Sequence, residues 1–151
     1  MTTVLVCADG SPASLEAATK GLALLTNVER VVIATVVPDA LDLEITMSSS
    51  GMAGPAMPLS DYEELEAARV ADGESIVAES ATALSLANAE TKVLEGSAGP
   101  ALCEYADQIK ADAIIIGSRG HGRFRRAFLG SVSDHVVRHA PCPVLVTHPS
   151  K

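Results

Sequence analysis

The sequence predicts an α/β protein: a single doubly wound parallel sheet of five strands in the order 3-2-1-4-5, with helices on both faces. Three observations lead there. Continuous apolar runs such as Val4-Leu5-Val6-Cys7-Ala8 lack polar alternation and read as strands buried on both sides. These runs alternate along the chain with stretches of helical apolar spacing, the pattern of a parallel sheet covered by helices. The length of 151 residues, 48% of them hydrophobic, suits one domain spanning 1–151 around one core. Right-handed crossovers then wind the sheet in both directions.

The elements follow in order. Val4 to Ala8 is the first strand, closed by the turn Asp9-Gly10-Ser11-Pro12. Ser11 caps the helix that follows and Pro12 takes its first position. Leu15, Ala18, Leu22 and Leu25 give that helix its apolar face. Val31 to Val37 is the second strand, stopped by Pro38. Residues 38–59 read as an irregular loop, broken by Ser48-Ser49-Ser50-Gly51 and Gly54-Pro55, with Met47, Met52 and Met57 scattered through it. Ser60-Asp61-Tyr62-Glu63 matches a capping box and opens a helix expected to reach about Asn88. Thr91 to Glu95 is a short strand closed by Gly96. Pro100 to Ile109 is a helix and Ala113 to Ile116 the fourth strand. Ser131 to His139 is the last helix, and Pro143 to Thr147 the last strand.

Chemistry concentrates after the fourth strand. Gly117-Ser118-Arg119-Gly120 is followed by nine residues and then Gly130-Ser131 at a helix start. Glycines let backbone approach a phosphate, and the N–H groups of a helix start point at it. In the order 3-2-1-4-5, strands 1 and 4 lie side by side where the strand order reverses, and ligands bind beyond the carboxyl ends there. Asp9 and Gly117 would then face one crevice. Gly117, Gly120 and Gly130 would shape the phosphate loop, with Ser131, Val132 and Ser133 at the positive helix end. Asp9 can accept from a base amine or ribose hydroxyl, and Val36 can line a base pocket. Each also has a structural reading: a strand-end turn for the glycines and Asp9, and a helix cap for Ser131.

Composition narrows the function classes. The formal net charge is −8 and aromatics are 3% with no Trp, so a nucleic-acid partner is not expected. Arg119, Arg123, Arg125 and Arg126 nevertheless gather beside the glycine loop. Cys7, Cys103 and Cys142 are widely spaced, show no metal-ligand pattern, and as an odd number fit a reducing cytoplasm. No signal peptide or membrane span is expected. No Walker lysine follows the glycines and no general base is evident, so no catalytic residue and no protein metal site are assigned. His121 lies in the loop and could reach a phosphate, but a loop histidine is more often simply solvated.

These residues resemble the universal stress protein family. Its nucleotide-binding members carry G-2x-G-9x-G-(S/T), matched here by Gly117, Gly120, Gly130 and Ser131. The early Asp after strand 1 corresponds to Asp9, and the closing strand to Pro143-Val144-Leu145-Val146. The resemblance covers essentially the whole chain and points to the ATP-binding branch. It implies ATP or a related adenine nucleotide at the switch point, with Mg2+ held through the phosphates. Base and ribose contacts would fall to Asp9 and Val36, and Ile116 and Arg119 would flank the ribose side. Phosphate contacts would fall to Gly117, Gly120, Gly130, Ser131, Val132 and Ser133. A homodimer through strand residues 143–147 is also implied. Three roles stay open: a nucleotide-binding stress or signalling module, ATP- or cyclic-AMP-responsive; a slow ATP-hydrolysing or nucleotide-transferring enzyme; and a ligand-free scaffold.

Overall fold

Five strands pair side by side, all parallel, in the order β3-β2-β1-β4-β5. In this computed structural model, residues 2–39, 51, 58–119 and 129–150 are described. Most of the expected 38–59 loop lies outside them, as do Gly120, His121, Arg123, Arg125 and Arg126. The strands are β1 (Thr2–Cys7), β2 (Val28–Val37), β3 (Glu90–Glu95), β4 (Ala113–Gly117) and β5 (Val144–Thr147). The helices are α1 (Pro12–Leu24), α2 (Leu59–Ala83), α3 (Ala98–Gln108) and α4 (Ser131–His139).

Central β1 sets the architecture. Its apolar run is fully buried because both edges and both faces are covered: Val4 pairs with Val31 of β2 and with Ala113 of β4. Strand periodicity sends successive side chains to opposite faces. Leu5, Cys7, Val32, Ala34, Ile114 and Ile116 pack against Leu102, Cys103 and Ala106 of α3 and Val136 of α4. Val4, Val6, Ala8, Ile33 and Ile115 pack on the other side with Ala18 of α1 and Val77 of α2. Helices α1 and α2 thus cover one face and α3 and α4 the other, the doubly wound arrangement. Helix α1 sits tight on the sheet: a Cβ at Gly21 would lie 2.5 Å from Ile115 Cγ2.

The departures from expectation concern element ends. Helix α2 starts one residue before Ser60, its N-cap is Pro58, and among the described residues no side chain caps it. Ser60 lies inside the first turn with its hydroxyl 3.3 Å from Asp61 Oδ1, so the expected capping box is not formed. The helix also stops at Ala83 rather than near Asn88. Ser85 takes φ 55°, its N–H donates to Thr82 O at 3.0 Å, and Leu86 N–H donates to Ala81 O at 2.9 Å. That is a Schellman ending built on serine instead of glycine. Lys110, at φ 52°, ends α3 the same way, with Ala111 N–H on Ala106 O at 2.9 Å. Strand β2 begins three residues earlier than its apolar run, at Val28, because Thr2 and Thr3 of β1 offer it partners there. Among the described residues, no helix is long and apolar enough to cross a membrane.

Candidate functional site

A cavity of about 310 Å³ opens at the carboxyl ends of β1, β2 and β4, between the sheet and the starts of α3 and α4. This is where the order reverses, because β1 leads to β2 on one side and pairs with β4 on the other. Nine of the sequence-predicted residues line it: Asp9, Val36, Ile116, Gly117, Arg119, Gly130, Ser131, Val132 and Ser133. Gly120 lies outside the described residues.

The β1–α1 side is internally satisfied. Gly10 holds φ +80°, which favours glycine, and a Cβ there would meet Ile76 Cγ1 at 3.3 Å. This turn folds Asp9 back on its own chain. Asp9 Oδ1 accepts from the Ser11 N–H at 2.9 Å and from the Ser11 hydroxyl at 2.5 Å. Ser11 Oγ in turn accepts from the Ser14 N–H at 3.1 Å and caps α1. Asp9 is therefore both a turn residue and a carboxylate on the cavity wall.

The β4–α4 side is arranged differently. Gly130 is the N-cap of α4 and offers no side chain, so among the described residues the first-turn amides of Ser131, Val132 and Ser133 have no side-chain cap. Gly130 has φ −61° and ψ 154°, which any residue can adopt. Its N–H donates to Ser118 O at 2.8 Å, and an added Cβ would meet that same oxygen at 3.4 Å, an ordinary contact. The hydroxyl of buried Ser133 donates to Gly117 O at 2.6 Å and ties the first turn of α4 to the end of β4. Asp134 stands in that first turn, and its N–H donates back to Gly130 O at 2.8 Å. The helix thus presents uncapped amides, with their partial positive charge, to a cavity that Arg119 also lines.

Several wall residues were not singled out from the sequence: Cys7, Ala34, Thr35, Ala98 and Leu102. Their signal was periodicity. Ala34 shares a strand face with Val36, and Ala98 and Leu102 share a helix face. They make the cavity's inner wall apolar. Burial pushes the Cys7 thiol up to about 12, helped by nearby Cys103 and Cys142, so at neutral pH it is an uncharged wall group and not a nucleophile. An apolar wall facing a row of amides suits a ligand with a flat apolar body and an anionic end. Among the described residues, no three His, Cys, Asp or Glu side chains converge on a metal position.

Comparison with known proteins agrees with this fold. The profile of the Universal stress protein family matches residues 1–148. A universal stress protein of Thermus aquaticus is 36% identical over 85 residues, 56% of this chain and 62% of that protein. A universal stress protein A-like protein of Arabidopsis thaliana is 38% identical over 56 residues, 37% of this chain and 32% of its own length. The chain thus spans less than two thirds of these relatives. Among solved structures, the universal stress protein UspA from Lactobacillus plantarum superposes with a TM-score of 0.69 at 26% identity, covering 96% of each chain. A universal stress protein in complex with cAMP gives 0.66 at 25% identity, over 99% of this chain and 98% of that one. A family member from Arabidopsis thaliana with AMP bound shares the fold at 0.59 and 16% identity, over 99% and 93% of the two chains.

Proposed function

Because this chain belongs to the universal stress protein family, we propose that it is an adenine-nucleotide-binding member of it, of the ATP-binding branch, acting as a stress-response module. The observation that carries this reading is the uncapped start of α4, aimed into a cavity with an apolar inner wall. The base would lie against Val36, Ala34 and Leu102, with Asp9 toward the base and ribose. Ile116 and Arg119 would flank the ribose side. The phosphates would meet the backbone of Gly117, Gly120 and Gly130 and the amides of Ser131, Val132 and Ser133. Because the Ser133 hydroxyl donates to Gly117 O, its backbone N–H is the donor toward a phosphate. Mg2+ would be held through the phosphates. A related protein holding cAMP places cyclic AMP beside ATP as a second candidate for the same cavity.

Two further properties belong to this reading. Strand β5 is a sheet edge of four half-buried to buried residues, paired on one side only by β4. Such an edge is a template for a second chain, and we place the homodimer contact there, across 143–147. The odd number of cysteines suits a cytoplasmic setting.

The deciding experiment is mass spectrometry of nucleotides released by denaturing the purified protein, repeated on Gly130→Val. An adenine nucleotide released by the wild type and missing from a folded variant is the expected result. If neither carries nucleotide, thermal melting with MgATP and with cAMP decides. A ligand at a hundred times its dissociation constant stabilises by about 2.7 kcal/mol. Unchanged melting with both at millimolar concentration sinks the reading.

A further inference from the structure

We propose that His135 and His139 form a two-imidazole site for a borderline transition-metal ion of the Zn2+ or Ni2+ type, on the outer shoulder of α4. The two residues are four apart and so share a helix face. Their rings stack with centroids 4.2 Å apart and planes 24° apart. One hydrogen bond settles the chemistry of the pair. His139 Nδ1 lies 2.9 Å from the backbone oxygen of His135. A carbonyl oxygen can only accept, so Nδ1 carries the proton. In the neutral ring that leaves Nε2 with its lone pair. Metal-binding histidines use the same device: one ring nitrogen donates to a carbonyl and the other is left as the ligand.

His135 is held from its other side. A Cβ on Gly99 would lie 2.7 Å from both Cγ and Cδ2 of the His135 ring. The ring therefore rests in a notch on α3 made by a missing side chain. The His135 atoms nearest that notch are Cγ, Cδ2 and Cβ, and neither ring nitrogen is among them. Among the described residues, no other hydrogen bond engages either ring. Bonds of about 2.0–2.1 Å to a metal require the stacked rings to tilt together. That is a χ2 movement, and this torsion is broad for histidine.

The surroundings favour a cation. His139 is the last residue of α4, where unpaired carbonyls give the helix end partial negative charge. The neighbouring cation, Arg138, is held by Asp134 at 3.0 Å. Imidazole suits zinc, nickel and copper over magnesium or calcium. Two protein ligands leave the remaining positions to water. Because α4 has only nine residues, a clip across its last turn also stabilises the helix.

The test is calorimetric titration of the tag-free full chain with Zn2+, with long-range proton–nitrogen NMR of the imidazoles. One equivalent should bind, and the Nε2 resonances of His135 and His139 should move together. His139→Ala and His135→Gln should each weaken binding by at least about tenfold, because the second imidazole acts at high effective concentration. His139 is exposed, so its variant carries the test even if His135→Gln unfolds. Cys142→Ser should leave the titration unchanged. The proposal is overturned by no binding at millimolar Zn2+ or by undiminished binding in His139→Ala. It is equally overturned if binding vanishes in Cys142→Ser, or if NMR shifts are confined to His121 and His148.

Discussion

Helices α1 and α4 both start at the rim of one cavity, and they treat their first-turn amides in opposite ways. At α1, Ser11 accepts from the Ser14 N–H and donates to Asp9, and Asp9 also accepts from the Ser11 N–H. The turn consumes its own polar groups. At α4 the cap is Gly130, and among the described residues no side chain caps the amides behind it. Both starts have the same dipole and both lie at a strand's carboxyl end, so position does not separate them. What separates them is which donors the chain leaves for something else. An anion has a reason to bind at α4 and much less reason to bind at α1.

The comparison breaks most visibly if α4 is given the kind of end that α1 has. Gly130 has extended backbone angles that an N-cap aspartate adopts without strain. Gly130→Asp would offer its carboxylate to the amides of α4 and add negative charge where a phosphate would sit. Nucleotide binding should fall by at least about a hundredfold, equivalent to about 2.7 kcal/mol. The unliganded protein should melt at or above the wild-type temperature, since a cap contributes about 1 kcal/mol. Calorimetric titration and melting on the same sample check both halves. Weaker binding with a lowered melting point would mean general damage instead of a filled cradle.

The reverse change removes the cap that α1 has. Ser11→Ala strips a buried hydroxyl from the Ser14 N–H and from Asp9 at once. It should lower unfolding free energy by about 1–2 kcal/mol in urea. Nucleotide affinity should fall far less than in Gly130→Asp. An equal loss of affinity in the two would erase the distinction between the helix starts.

How much of this was legible follows from where the information sits. The strands were readable because burial on both faces demands apolar runs, and β1 with its two pairings is the extreme case. Helix α4 was readable from Ser131 to His139 because glycine precedes it and Pro141 follows. Helix α2 was not. Its start carries a false capping box at Ser60, and its end uses Ser85 at φ 55°, where glycine would have flagged the stop. Left-handed backbone costs a non-glycine residue about 1–2 kcal/mol, but Leu86 packs into the core beside Ala81 and holds the turn. In the cavity, polar and glycine residues at strand ends stood out, while Ala34 and Leu102 looked like ordinary core. They are ordinary core; only the gap above them makes them a wall.

A smaller effect concerns how α4 is anchored. The hydroxyl of Ser133 donates to Gly117 O at 2.6 Å in a buried setting. Ser133→Ala should cost about 1 kcal/mol of stability. It should leave the backbone amides in place, so affinity should change only as far as the first turn shifts. Urea melts with and without ATP separate the two. A loss of affinity matching that of Gly130→Asp would assign the hydroxyl itself to the ligand.

The smallest effect contrasts the flanks of the two helices. Each carries an acid four residues before a base: Glu16 and Lys20 on α1 at 2.8 Å, Asp134 and Arg138 on α4 at 3.0 Å. On α4 the pair closes on its own helix. On α1 it also fastens the chain's end, since Glu16 accepts from the Ser150 N–H at 2.7 Å and Lys20 donates to His148 O at 2.9 Å. The Lys20 hydrogen bond, followed by those from Ser150, pulls the Glu16 carboxyl from 4.5 down to about 2. A depressed folded-state value means that the carboxylate contributes stability fully above the unfolded value, and that this contribution is lost as pH falls toward the folded one. Glu16→Gln should therefore melt slightly below wild type at neutral pH. The gap should narrow between pH 4.5 and 2 and close below that window. Both side chains are partly exposed, Lys20 40% and Glu16 34%, and screening by solvent keeps the effect small. Melting across that range at two salt concentrations checks it, and a gap independent of pH would assign the difference to tail packing and not to charge.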